Sequence, residues 1–162
     1  MRVLRLLVLP TLLLAAAPAA PAEEEQLRDF QAVIETAKQN VYPALVFVKP
    51  VQEDLSEGES RRVEVLGSGV IFRPDGYVVT NPHVAEKARE IRCVLGDRRQ
   101  VDAEVVGLDK MTDLAVLKLD VPEGEVLPYA KFGEGSRVEE GQFVLALGSP
   151  YGFVLSLSLG IV

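Results

Sequence analysis

The chain has one cysteine, one histidine and no tryptophan among its 162 residues. A single cysteine excludes an intrachain disulfide even in an oxidising compartment. Cys93 lies in the apolar run from Ile91 to Leu95 and is expected to be a small core residue. One histidine and one cysteine cannot build a tetrahedral zinc site without several carboxylates, and no metal-ligand spacing occurs, so no metal and no cofactor are expected. Clusters of basic residues are missing as well. The formal net charge is −7 and the lysines and arginines are scattered, which gives no surface for nucleic acid. Nor is there an unbroken apolar run of the roughly 20 residues that a spanning helix needs. Leu6 to Ala17 is short and contains Pro10, and the charge-free stretch from Phe143 to Val162 is split by Gly148-Ser149-Pro150-Tyr151-Gly152. No membrane span is expected in the mature chain.

What is present suffices for one ordinary domain, since 48% of the residues are apolar. The first 22 residues stand apart from it. Arg2 and Arg5 precede the apolar run, and small residues fill Ala15 to Ala22, the pattern of a secretory signal cut after Ala22 or after Ala19. An extracytoplasmic location follows. Leu27, Phe30, Val33, Ile34 and Ala37 share one face of a helix predicted over Gln26 to Asn40, which Tyr42-Pro43 stops. Strands are predicted at Ala44 to Val48, Val63 to Leu66, Glu90 to Leu95, Gln100 to Val106, Leu114 to Leu119, Phe143 to Leu147 and Phe153 to Val162. Pro50 to Arg62, polar and acidic, reads as a surface loop. Many short strands separated by turns indicate an all-β antiparallel sandwich or barrel.

The only histidine is delivered by the stretch from Gly67 to Val84. Val70-Ile71-Phe72 and Tyr77-Val78-Val79-Thr80 read as two strands of a hairpin, joined by Arg73-Pro74-Asp75-Gly76, where proline sets φ and glycine supplies φ > 0. Asn81 suits a helix N-cap and Pro82 the first helical position, so His83 is expected in a short helical turn that runs on to Ala88. A lone histidine is ordinarily a structural or surface residue. Here the surrounding sequence says more.

The segment G-S-G-V-I-F-R-P-D-G-Y-V-V-T-N-P-H-V, Gly67 to Val84, closely resembles the segment around the catalytic histidine of HtrA-type (DegP-like) trypsin-fold serine proteases. Thr112-Asp113-Leu114-Ala115-Val116-Leu117-Lys118 resembles the strand carrying that family's catalytic aspartate. The resemblance implies that His83 is the general base and later the acid, and that Asp113 fixes its tautomer and stabilises the imidazolium. It narrows the fold to a trypsin-like serine protease fold. Residues 23–152 would form an N-terminal helix and the first six-stranded antiparallel barrel. Residues 153–162 would begin a second barrel that is largely missing. It implies unfolded polypeptides as substrates, a role in periplasmic protein quality control, and homotrimers formed through the N-terminal region. Pro82 departs from the family, which usually has a polar, aromatic or small residue before the histidine, but it fits a helical turn.

The family's nucleophile lies in a G-N-S-G-G segment of the second barrel, which also provides the oxyanion donors, and these 162 residues contain no such segment. Ser68, Ser149 and Ser156 lack its surroundings. The expectation is an incomplete sequence of an exported HtrA-like endopeptidase, inactive by itself. The alternative is a one-barrel binding or assembly module without catalysis. An unrelated β module would explain the strands but leave the matched histidine and aspartate segments without a reason.

Overall fold

The computed structural model describes residues 21–54, 61–64, 66–148 and 155–162. The leader, except for Pro21 and Ala22, lies outside the described residues, as do the cleavage position at Ala19 and most of the Gly148 to Gly152 turn. Helix α1 (Pro21–Val41) opens the described chain, and a 3-10 turn over Tyr42–Ala44 passes it to strand β1 (Leu45–Asp54). The helix starts at Pro21, ahead of the predicted start at Gln26, because Pro21 suits a first helical turn and the acidic run after it favours a helix N-terminus.

Strands β1, β2 (Arg61–Glu64), β3 (Gly67–Ile71), β4 (Tyr77–Thr80), β5 (Ala88–Val94), β6 (Gln100–Asp109) and β7 (Leu114–Leu119) form one antiparallel sheet. Its order is β2-β1-β3-β4-β7-β6-β5, and β1 also pairs with β5. That last pairing closes β1, β3, β4, β7, β6 and β5 into the expected six-stranded barrel, with β2 attached to the far half of β1. Closure removes free edges from the six strands. It requires strands to bend, and register shifts between Val51 and Gln52 and between Val105 and Gly107 supply two bends.

Alternation decides what fills the barrel. Val46 and Val48 of β1, Ile71 of β3, Val78 of β4, Ile91 and Cys93 of β5, and Ala115, Leu117 and Leu119 of β7 are all buried in one cluster. Cys93 is part of that core as expected. Burial, with the Asp102 carboxylate adding to it, pushes its thiol up from 9.0 to about 12. The thiolate is the reactive form, so a disulfide reagent at pH 8 is expected to leave Cys93 unmodified until denaturant unfolds the chain. The sign of the linkage also follows. Between pH 9 and pH 12 the unfolded chain releases a proton that the folded chain keeps, so stability should fall with rising pH in that window.

Three local expectations are corrected. Pro50 does not end the first strand. β1 continues to Asp54, and β2 is Arg61–Glu64, so only residues 55–60 of the expected loop lie outside the described residues. On that side the register of β1 passes from Val48↔Gly67 to Val51↔Glu64, so Pro50 sits where one partner is exchanged for another. The helical turn after Asn81 ends at Ala85, and Ala88 already belongs to β5. Finally, the strand expected at Phe143 to Leu147 forms as β8 (Phe143–Gly148) but pairs with β9 (Ser156–Ile161), not with the barrel. No helix among the described residues is long and apolar enough to cross a membrane.

Candidate active site

The β3–β4 hairpin is built as its sequence dictates. Gly76 has φ +92° and donates its N–H to the Arg73 carbonyl at 3.1 Å, closing the turn that Pro74 begins. The Arg73 guanidinium pairs with Asp75 at 2.8 Å and lies 4.4 Å from the centre of the Tyr77 ring. At the other end of β4, the buried Thr80 hydroxyl donates to the Ser68 carbonyl at 2.8 Å. The end of β4 is thereby tied to the start of β3.

Helix α2 (Pro82–Ala85) follows at once, with Asn81 in extended conformation at its N-cap position. Pro82, Val84 and Ala85 are buried and hold the turn on the barrel, while His83, between Pro82 and Val84, is exposed. The close seating depends on Gly67. A Cβ at that position would lie 2.6 Å from both Cγ1 and Cγ2 of Val84. Gly67→Ala is therefore expected to destabilise the chain by about 1–3 kcal/mol. Val84→Ala should relieve most of that added penalty, so a double-mutant cycle in urea is expected to give a coupling of about 1 kcal/mol.

Asp113 arrives from the neighbouring strand. β4 and β7 are antiparallel with Thr80 opposite Ala115, so residues just after β4 and just before β7 meet at one end of the barrel. The approach is shaped by Asp109, whose carboxylate accepts from the Met111 N–H at 2.9 Å and the Thr112 hydroxyl at 2.9 Å. The Thr112 bond, with the Met111 N–H second, holds the Asp109 carboxyl below the usual carboxylate range. Asp113 itself is exposed and has φ +56°, a left-handed conformation that aspartate and asparagine tolerate better than most residues. Its partner is Asn81. The Asn81 side-chain Nδ2 donates to the Asp113 carbonyl at 2.8 Å and to its Oδ2 at 3.1 Å.

Sequence reasoning thus named two residues that the structure brings to one barrel end, His83 and Asp113. It missed their link. Asn81 was expected to cap α2, but its side chain makes no capping bond and turns to Asp113 instead. Among the described residues the His83 imidazole makes no hydrogen bond; the bonded pair is Asp113 with Asn81. The only signal in the sequence was that Asn81 stands two positions before His83.

A cavity of about 850 Å³ lies at the opposite end of the barrel and is lined by residues such as Tyr42, Leu45, Ile71, Val94 and Leu127. Its lining is mostly apolar, and the Asp97 carboxylate there is already paired with Arg99 at 2.7 Å. Among the described residues, no group of three or more His, Cys, Asp and Glu is arranged to hold a metal ion.

Comparison with known proteins defines the class. Residues 67–162 match the model of the trypsin-like peptidase domain, and the chain belongs to that family. Within it the chain is similar to HtrA/DegP-like proteins. It is 48% identical over 102 residues to a protein of Pseudomonas savastanoi pv. phaseolicola named "Probable periplasmic serine endoprotease DegP-like", covering 63% of this chain and 21% of that one. A protein of the same name from Pseudomonas putida is 45% identical over 114 residues, covering 70% and 23%. The fold agrees with a solved HtrA-type protease, AlgW, with decapeptide: TM-score 0.71 and 30% identity, over 79% of this chain and 44% of that chain. The chain thus spans about a fifth of the length of these curated relatives.

Proposed function

We propose that this chain is the part of an extracytoplasmic serine endopeptidase that carries the base and its orienting acid, acting on unfolded polypeptides. The observation that supports this most is the β4–β7 register, which sets the turn bearing His83 beside the strand start bearing Asp113. In this reading His83 removes the proton from a serine hydroxyl as it attacks the scissile carbonyl, then returns it to the leaving amine. Asp113 selects the imidazole tautomer and stabilises the imidazolium. The serine and the donors for the oxyanion come from a G-N-S-G-G segment, which these 162 residues do not contain. Residues 1–22 direct export. Leu27 and Val33, 58% and 63% exposed on α1, offer an apolar face through which three copies would associate.

Two results test the reading. Residues 23–162 joined to the nucleophile-bearing remainder of a DegP-like protease are expected to hydrolyse casein, whereas the 162-residue chain alone is expected to take no label from a fluorophosphonate. Stoichiometric labelling of any serine in the chain alone would contradict this assignment.

A further inference from the structure

We propose that Asn81 is a positioning residue for the reaction, acting through Asp113. This rests on the reading of His83 and Asp113 as base and orienter. Both atoms that Asn81 faces, the Asp113 carbonyl oxygen and Oδ2, are acceptors only, so the amide nitrogen must be the end that points at them. One amide group therefore satisfies the main chain and the carboxylate of the same residue. That residue holds φ +56°, where backbone and side chain have few other constraints at an exposed strand start. With its second atom fixed in this way, Asp113 cannot swing into solvent, and its other carboxylate oxygen remains for the imidazole.

The placement has a sequence logic. Asn81 and His83 flank Pro82, whose fixed φ stiffens their separation, and Val84 anchors the turn beneath them. The clamp on Asp113 and the base thus ride on one rigid tripeptide. When Asp113 is fixed by Asn81, it is fixed relative to His83.

Capping and clamping call for different residues. Serine is as good an N-cap as asparagine, is uncharged and is too short to reach Asp113 with two donors. Asn81→Ser should therefore be silent if Asn81 matters only as a helix start.

In a fusion of residues 23–162 with the nucleophile-bearing remainder of a DegP-like protease, Asn81→Ser is expected to lower kcat for casein by about 10-fold or more, with KM and the unfolding temperature unchanged. In an Asp113→Asn background the same substitution should lower kcat by less than about 3-fold, because the group through which Asn81 acts is already gone. If Asn81→Ser leaves kcat at the parent value while Asp113→Asn lowers it, the positioning role is wrong and the pair stands. If Asp113→Asn itself leaves kcat unchanged, the pairing of His83 with Asp113 is wrong. An Asn81→Ser variant that melts earlier but turns over casein like the parent also overturns the proposal, because that is the behaviour of a structural residue.

Discussion

Gly69→Val is expected to destabilise the barrel by about 3 kcal/mol, read as a lower urea midpoint with an unchanged slope. A Cβ at Gly69 would lie 2.6 Å from Cγ1 of Val78, 3.1 Å from the Val79 carbonyl oxygen and 3.3 Å from Cγ2 of Val48. Val78 and Val48 are fully buried, and the Val79 oxygen is main chain, so none of the three can move aside cheaply. β3 would have to draw away from β4, and β4 carries the turn with His83. Gly107→Ala is the control, because a Cβ there meets nothing within 4 Å. It should stay within about 0.5 kcal/mol of wild type. Equal stability of Gly69→Val and wild type would mean that the barrel is looser at this point than its packing indicates.

The two glycines of the G-S-G run illustrate what a sequence makes legible and what it hides. Gly67 and Gly69 are two apart, which in a strand puts them on one face, and the pattern marks a close approach. What approaches could not be read: Val84 over Gly67 and Val78 against Gly69 come from the far end of the hairpin and beyond it. Turns were easier. Arg73-Pro74-Asp75-Gly76 and Asn81-Pro82-His83 are governed by local φ preferences, and both formed where the sequence put them. Leu114–Leu119 was equally plain, since its alternation matches the inward face of a barrel strand.

Misreadings arose where a distant partner overrode a local signal. Proline normally breaks a strand, yet Pro50 continues β1 because Ile91 of β5 pairs with it on one side, while on the other it stands where β3 gives way to β2. Phe143–Gly148 looks like one more barrel strand, but the closed barrel offers it no edge, so it pairs with Ser156–Ile161. Asn81 has the composition of a cap and the geometry of a clamp. Its side chain could serve the nearby helix or a strand 32 residues away, and the two acceptors of Asp113 are the stronger call on its donors.

The largest effect belongs to the two residues of the proposed site. In a fusion of residues 23–162 with the nucleophile-bearing remainder of a DegP-like protease, His83→Ala is expected to lower kcat for casein by about 10⁴-fold or more. Asp113→Asn should lower it by about 10⁴-fold. Both act on the chemical step, through proton transfer and through choice of tautomer, so KM should change little. Both side chains are exposed and outside the core cluster, so the thermal unfolding of each variant should match that of the parent fusion.

Peptide turnover combines binding, acylation and release, and a fluorophosphonate isolates the first chemical event. The second-order rate at which it labels the serine of the fusion, measured for the parent, His83→Ala and Asp113→Asn, therefore bears most directly on the claim that this barrel supplies the base and its orienter. The account expects fast labelling of the parent and a loss of at least about 10³-fold in each variant. Labelling of either variant at the parent rate would contradict it, and would return that residue to the surface of an ordinary barrel.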